Sequence, residues 1–190
     1  MGLSLVTRAE YKAYAGLSST NEDAKIDILI PKISELVKSL CNTTFVDYVN
    51  DAKTEYFDGG VNVFIPGEGP LLAVSSLECS TDYGVTYTEL VENTDFVVLL
   101  SKGTVLPIGV TEFPYYPNGY KLTYNSGYEV LPEALKLAIL DLVSYYMKND
   151  SAVHSNRAPG GNTVQIEYVI NTSLPAHIRR VLDLYADNFN

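Results

Sequence analysis

The stretch from Tyr120 to Lys148 constrains the fold more than any other part of the chain. Residues 120–124 alternate between apolar and polar as a strand does, and Asn125-Ser-Gly-Tyr128 is typical of a turn. Leu131-Pro-Glu133 then starts a helix, because proline is favoured in the first turn and a carboxylate suits the positive helix end. Apolar residues follow at helical spacing: Leu131, Leu135, Ala138, Ile139, Leu142, Val143 and Tyr146, with Leu137, Leu140 and Met147 widening the face. A helix with so wide an apolar face must be covered on more than one side, so the rest of the chain is expected to pack around it.

Two helices are predicted near the start of the chain. Thr7-Arg-Ala-Glu10 is a capping box, and the short helix that follows is expected to end near Ala15, before Gly16. A second start signal lies at Ser19–Asp23. The stripe after it consists of Ile26, Leu29, Ile30, Ile33, Leu36, Val37 and Leu40. Pro31 lies inside this stripe and predicts a kinked helix.

After Phe45 the apolar period changes to two, which indicates strands. They are expected at Glu55–Phe57, Val61–Ile65, Leu71–Leu77, Thr86–Leu90, Phe96–Leu100, Val105–Ile108 and Tyr120–Tyr124. The predicted fold class is therefore α+β: a small bundle of about four helices with an inserted antiparallel β-sheet or partial barrel. Residues 1–45 and 120–190 would form the helical core, and residues 46–119 the β insert.

The chain after the long helix is polar at first. Residues 149–162 contain Ala158-Pro-Gly-Gly161 and are expected to form a mobile loop within the helical core. Thr163–Ile170 alternates like an edge strand. Ser173-Leu-Pro175 opens a last helix whose inward residues are Ile178, Val181, Leu182 and Tyr185.

The net charge of −10 is unevenly distributed. Between Lys53 and Lys102 there is no basic residue. Eight acidic residues lie there: Glu55, Asp58, Glu68, Glu78, Asp82, Glu89, Glu92 and Asp95. Tight DNA binding by this segment is not expected, because neutralising phosphates requires clustered Lys and Arg. An acidic surface would instead repel DNA, favour solubility or meet a basic partner.

Export and membrane signals are not evident. No apolar run approaches the ~20 residues of a membrane span. Met1–Glu10 has neither a basic start nor an apolar signal core, and Val6 stands where an acylation signal after Gly2 needs Ser or Thr. We therefore expect a soluble protein that stays where it is made. Cys41 and Cys79 are expected to be buried thiols.

The sequence offers no persuasive catalytic, metal or cofactor site. His154 and His177 are not in metal-ligand spacing with either cysteine, and the Gly-Pro-rich surroundings of His154 favour a solvated loop. Pro66-Gly-Glu-Gly-Pro70 lacks the Lys-Ser/Thr of a phosphate-binding loop. A hydrolase remains open only because carboxylate pairs can be proposed anywhere in an acidic segment.

The fifteen tyrosines are a stronger signal. Five are grouped, at Tyr115, Tyr116, Tyr120, Tyr124 and Tyr128. They either pack where sheet meets helix or form a protein-binding surface, since tyrosine gives large contact area at low entropic cost. The pair Arg179-Arg180 is either solvated or donates ion pairs to another subunit. Candidate inter-subunit residues are therefore Arg179, Arg180, Tyr115 and Tyr116.

Four segments, in order, resemble the head–tail connector (adaptor or head-completion) proteins of tailed bacteriophages. They are the opening helix through Gly16-Leu17, the second helix with its Cys41-Asn-Thr-Thr-Phe45 ending, the strand–turn–helix junction Leu122–Lys136, and the closing helix after Leu174-Pro175. Asn42-Thr43 departs from the Gly-Arg often found before Thr-Phe in that family, and the third helix lacks Trp. A subunit contact made by that arginine in relatives would differ here.

The resemblance implies a non-enzymatic ring of about a dozen copies in the virion neck, assembled in the host cytoplasm, without a cofactor. The ring would lie beneath the portal protein, pass double-stranded DNA without specific binding and offer its lower face to a tail or neck protein. Ring closure needs contacts in which different faces of adjacent copies meet.

The segment His154–Val169 is the predicted portal-facing part, ordering there by strand addition. Its candidate residues are His154, Asn156, Arg157, Gln165 and Tyr168, and the β insert would face outward or tailward. The alternative function is a carbohydrate- or ligand-binding β module of a tail or surface appendage. Its candidate residues would be Tyr83, Tyr87, Tyr115 and Tyr116.

Overall fold

A computed structural model of the protein describes residues 2–148, 153–156, 165–168 and 174–186. The chain forms two compact units: a helical unit made of Leu3–Asn42 and Pro132–Asn190, and a β unit made of Thr43–Leu131. The helices and antiparallel strands confirm the predicted α+β class. Among the described residues, no helix is both long and apolar enough to cross a bilayer.

The described part of the helical unit contains four α-helices. They are α1 (Arg8–Ala15), α2 (Asp23–Cys41), α3 (Glu133–Lys148) and α4 (Ala176–Tyr185). The predicted capping box starts α1: the Glu10 amide donates to Thr7 Oγ1 at 3.2 Å, and the Thr7 amide donates to Glu10 Oε2 at 2.7 Å. Gly16 ends the helix with φ +66°. Helix α2 runs through Pro31 without a break.

Charged pairs join the helices of this unit. Lys12 Nζ lies 2.7 Å from Asp23 Oδ1, which joins α1 to α2, and Lys136 Nζ lies 2.5 Å from Glu10 Oε1, which joins α3 to α1. Cys41 is buried against α4, and its Sγ lies 3.6 Å from the Leu182 carbonyl oxygen. Burial raises the pKa of the Cys41 thiol to about 11, so this cysteine is an inert core residue, as expected. Cys79 is only partly buried, which corrects the expectation that both thiols are buried.

The β unit contains a four-stranded antiparallel sheet and a separate hairpin. The strands are β1 (Lys53–Phe57), β2 (Leu71–Cys79), β3 (Thr88–Glu89), β4 (Phe96–Leu99), β5 (Thr104–Pro107) and β6 (Tyr120–Ser126). The sheet order is β1-β6-β2-β3, and β4 pairs with β5. Aromatic rings fill the core, where Phe64 stacks on Phe113 with centroids 4.1 Å apart and both contact Tyr120.

Two expectations about the β unit need correction. Val61–Ile65 is not a strand: Val61 forms a single bridge with Phe113, and Phe64 forms another with Val105. The sequence predicts residues 120–131 in the helical core, but β6 pairs with both β1 and β2 and therefore belongs to the β unit. Because α3 begins directly after β6 and its turn, the sequence pattern does not show where the β unit ends and the helical unit begins.

Two short strands lie after α3, β7 (Val153–Asn156) and β8 (Gln165–Tyr168), and they pair as an antiparallel hairpin. Strand β7 corrects the loop predicted over residues 149–162. Antiparallel pairing satisfies backbone groups whatever the polarity of the side chains, which is why a polar stretch can form a strand. The rest of the predicted loop, including Ala158-Pro-Gly-Gly161, lies outside the described residues, and its mobility stays a prediction.

Candidate interaction surfaces

The predicted portal-facing residues lie on the β7–β8 hairpin. His154 and Asn156 are in β7, and Gln165 and Tyr168 are in β8. Asn156 is directly opposite Gln165, and Val153 is opposite Tyr168. Arg157 lies outside the described residues. The structure thus brings four of the five residues onto one two-stranded element, which sequence separation alone did not indicate.

The predicted inter-subunit residues differ in exposure. Arg179 and Arg180 are exposed on α4, and neither forms an ion pair with any residue that the structure describes. Tyr115 is 69% exposed. Tyr116 is half-buried and packs against the aromatic core of the β unit, so its main contacts are internal.

The outer face of the β sheet is a polar and aromatic surface that sequence reasoning missed. Strand β6 buries Leu122 and its alternate neighbours, which leaves Lys121 and Thr123 on the opposite face. Lys121 Nζ lies 2.9 Å from Glu78 Oε1 and 5.7 Å from the centre of the Tyr87 ring. The hydrogen bond to Glu78 raises the pKa of Lys121. The alternation of the exposed Tyr56 with the partly buried Glu55 and Phe57 was the available signal for this face.

Residues Thr81–Thr86 form the tip of the loop between β2 and β3. Hydrogen bonds to the Asp82 carboxylate hold this tip in its conformation. Asp82 Oδ1 accepts hydrogen bonds from the Thr86 amide at 2.8 Å and the Val85 amide at 3.2 Å, and its Oδ2 accepts from Thr86 Oγ1 at 2.6 Å. Ser80 Oγ donates to Asp82 Oδ1 at 2.7 Å. These bonds, led by those from Thr86, lower the pKa of Asp82 from 3.8 to about 2.

The same tip presents two apolar side chains to solvent. Tyr83 is 76% exposed and Val85 is 79% exposed. Tyr83 has a φ of +62°, a conformation uncommon for a residue with a side chain, and Gly84 follows at φ +83°. A β-carbon on Gly84 would lie 2.3 Å from Asn118 Nδ2, so the tip fits closely against a neighbouring turn. The tip is therefore a fixed protrusion with an apolar end.

A groove of about 420 Å³ lies along the side of the β2–β3 hairpin, and we call it the side groove. Its lining residues are Val74, Ser75, Ser76, Glu89, Leu90, Val91, Glu92 and Phe96. Val91 is 59% exposed, and its amide donates to Asp95 Oδ2 at 2.7 Å. None of the tyrosines suggested for carbohydrate binding lines this groove.

The Pro66–Pro70 loop has a structural role. Glu68 Oε2 accepts hydrogen bonds from the Thr44 amide at 3.0 Å, Thr44 Oγ1 at 3.1 Å and Thr43 Oγ1 at 3.2 Å. Lys53 Nζ lies 3.5 Å from Glu68 Oε1 and 2.7 Å from Glu55 Oε1. This loop therefore holds Thr43 and Thr44 in place. Asn42 ends α2 at φ +52°, a conformation that asparagine tolerates better than most residues with side chains.

Charge is segregated between the two units. The β unit contains twelve Asp or Glu residues and three Lys, a net charge of −9, whereas the helical unit is close to neutral. Among the described residues, no group of three or more His, Cys, Asp or Glu is arranged to hold a metal ion.

Comparison with known proteins tests the resemblance found in the sequence. Residues 4–187 match the model of the family described as head completion protein. The chain belongs to this family. The head completion protein of Escherichia phage T5 is 23% identical over 194 residues, which cover 96% of this chain and 98% of the phage protein. The suspected family is thus confirmed.

Solved structures of gene transfer agent particles share the fold of this head completion protein family member. A chain in the neck of an empty particle, computed with C6 symmetry, has a TM-score of 0.60 at 13% identity. It aligns over 95% of this chain and 89% of its own. A chain in a native virion has a TM-score of 0.62 at 12% identity, with the same coverage. One in a native neck computed with C12 symmetry has a TM-score of 0.58 at 13% identity, covering 97% of this chain and 94% of its own.

Proposed function

We propose that this protein is a structural head–tail connector in the neck of a tailed phage. It forms a ring below the portal, joins the capsid to the tail and lets DNA pass. The observation that carries the proposal is the family match, which extends over nearly the whole chain and includes both units. The shared fold with neck proteins of gene transfer agent particles supports the same location.

The distribution of charge suits a channel for DNA. A channel must not bind the DNA that passes through it, and a β unit of net charge −9 offers few cations to the DNA phosphates. The features of the site are consistent with a non-enzymatic role, because the most strongly bonded carboxylates, Asp82 and Glu68, hold loops in place.

Arg179, Arg180 and Tyr115 are the exposed residues that we assign to contacts between copies. A ring needs two different faces on each subunit, so that one face meets the other on the next copy. Tyr116, the fourth candidate, packs on the β-unit core.

The β7–β8 hairpin is the segment that we assign to the portal. Among the residues that the structure describes, β7 and β8 pair only with each other, and a partner strand can add to an edge of such a hairpin through backbone hydrogen bonds. Deleting residues 151–162 removes β7 and should leave a folded subunit that no longer attaches to portal-bearing capsids. Cosedimentation with such capsids measures attachment, and unchanged attachment would refute the assignment.

The connector function itself is tested by imaging. Purified protein is added to capsids whose vertices carry portal but no connector, and the vertices are examined by electron microscopy. Added density in the form of a closed ring below the portal is the expected result. A protein that stays separate from both capsids and tails, or that turns over a substrate, would contradict the proposal.

A further inference from the structure

The side groove is an acidic surface that lacks a cation. Glu89 and Glu92 line it together with Val91, which is 59% exposed, and neither carboxylate forms an ion pair with any residue that the structure describes. Glu89 also lies directly opposite Glu78 across the β2–β3 pair, a position in which like charges repel. Glu78 has Lys121 as its cation, whereas Glu89 has none. The groove is therefore suited to a positively charged occupant.

Most other carboxylates of the β unit are already bound by neighbours within that unit. They accept hydrogen bonds or form ion pairs there: Glu55, Asp58, Glu68, Glu78, Asp82 and Asp95. Glu89 and Glu92 can instead bind a cation from outside, and one groove contains both of them beside apolar lining residues. Arginine is the side chain that fits such a groove, because its guanidinium group binds a carboxylate with two parallel hydrogen bonds while its apolar stem packs on apolar surface.

The exposed face of α4 offers arginines in a matching arrangement. Arg179 and Arg180 are exposed and form no ion pair with any described residue of their own chain. Leu184 is 76% exposed and follows Arg180 by one helical turn, so the two side chains lie beside each other. Asp183 is the only carboxylate of α4, so with two arginines the exposed face has a positive net charge. The face thus combines cations with an exposed apolar side chain, and the groove combines carboxylates with Val91.

We propose that α4 of one copy docks into the side groove of the next copy. The two α4 arginines bind the two groove carboxylates, and Leu184 packs on Val91. The groove belongs to the β unit and α4 to the helical unit, so the contact joins two different surfaces, as a closed ring requires. This inference rests on the proposed connector function and names the surfaces that join its subunits.

Exchange of charge between the two surfaces tests the contact. The α4 variant carries Arg179→Glu with Arg180→Glu, and the groove variant carries Glu89→Lys with Glu92→Lys. Each variant alone should associate about tenfold or more weakly than wild type in sedimentation velocity at low salt, because like charges then face each other. Circular dichroism and thermal unfolding confirm that each variant is folded.

An equimolar mixture of the two variants should recover association to within about threefold of wild type, because every contact then joins an acidic surface to a basic one. The acidic helix of the α4 variant fits the basic groove of the groove variant. The unchanged helix of the groove variant fits the unchanged groove of the α4 variant. A mixture that associates no more strongly than the separate variants would overturn the contact.

A variant with the same net charge serves as the matched control. Glu112→Lys with Glu129→Lys changes two exposed carboxylates of the β unit that do not line the groove. Alone, this control should associate as wild type does. Mixed with the α4 variant, it should give no recovery. Recovery equal to that of the groove variant would show that net charge matters and position does not, and it would overturn the proposal.

A covalent version of the test does not depend on strong association. Leu184→Cys and Val91→Cys are combined in a chain that also carries Cys79→Ser, and mild oxidation should then give a ladder of crosslinked oligomers. Neither new cysteine by itself should give a ladder. A dimer that either one forms alone, as fast as the double variant forms its ladder, would mean a symmetric contact and would overturn the proposal.

The two proposals fail in different ways. Rings that assemble normally from the α4 variant or from the groove variant overturn the contact between α4 and the groove and leave the connector function intact. A double-cysteine chain that gives no ladder at any concentration also overturns the contact. A wild-type protein that never joins a portal-bearing capsid contradicts the connector function, whatever its crosslinking shows.

Discussion

At the scale of single residues, Asp82 decides the conformation of the tip. Because its pKa is lowered from 3.8 to about 2, its bonds are complete above pH 4 and are lost as the pH falls toward 2. The amide signals of Val85 and Thr86 should therefore titrate with a midpoint near 2 in NMR spectra. Asp82→Asn should abolish that titration, whereas Glu112→Gln, at an exposed carboxylate of the same unit, should leave it unchanged. A midpoint near 4 in the wild type would contradict the assignment.

The surroundings of Gly127 leave no room for a side chain. It lies at φ +113°, and a β-carbon there would lie 2.3 Å from the carbonyl oxygen of Phe45. That carbonyl accepts the Tyr128 amide at 2.7 Å and cannot move aside freely. Gly127→Ala should therefore lower the free energy of unfolding by about 3 kcal/mol or more.

Gly109 allows the cost of backbone strain to be measured apart from the cost of a steric clash. It has φ +76° with open space around its Cβ position, so Gly109→Ala should lower the free energy of unfolding by only about 1 kcal/mol. Urea denaturation of both variants measures the difference. Equal losses would show that the contact with Phe45 relaxes at no cost.

At the scale of elements, the start of α1 combines a cap with an ion pair to α3. Glu10 accepts from the Thr7 amide and pairs with Lys136, and the hydrogen bond to Lys136 is the main cause of its lowered pKa. Glu10→Gln should reduce the free energy of unfolding by about 0.5–1 kcal/mol at pH 7, a modest amount because the pair is partly exposed.

The pH dependence distinguishes this effect from a general loss of helix. A lowered pKa contributes stability above the ordinary value of 4.5 and loses it as the pH falls below that value. The difference between wild type and Glu10→Gln should therefore shrink at pH 3 in urea denaturation. Glu22→Gln, which removes an exposed carboxylate with no capping bond at the start of α2, is the control and should show little difference at either pH.

Elements differ in how far their sequences specify them. Helices α1 and α3 were predictable because capping residues and apolar spacing are local. The Val61–Ile65 prediction was wrong because alternation fits any extended chain, and the available partners pair with it only at Val61 and Phe64. The tip and the side groove had no local signal at all. Asp82 is one acidic residue among eight until its hydrogen bonds are known, and the groove joins residues from β2, β3 and β4.

At the scale of the whole molecule, charge segregation predicts how copies attract one another. A β unit of net charge −9 attracts exposed cations on neighbouring copies. Arg179 and Arg180 are exposed on the nearly neutral helical unit and form no ion pair with the described residues. If they meet an acidic β unit across the ring, their contribution is screened by salt, since the Debye length falls from about 14 Å at 50 mM to about 4 Å at 500 mM.

Arg179→Gln with Arg180→Gln should therefore weaken ring assembly about tenfold or more at 50 mM salt and have little effect at 500 mM. Sedimentation velocity at the two salt concentrations measures this. Lys32→Gln with Lys148→Gln removes the same charge from the same unit and is the control, which should change assembly little at either concentration. An equal effect of both double variants would mean that total charge matters and position does not. An arginine effect that persists at 500 mM would assign these residues to packing or hydrogen bonding, because an exposed ion pair does not survive such screening.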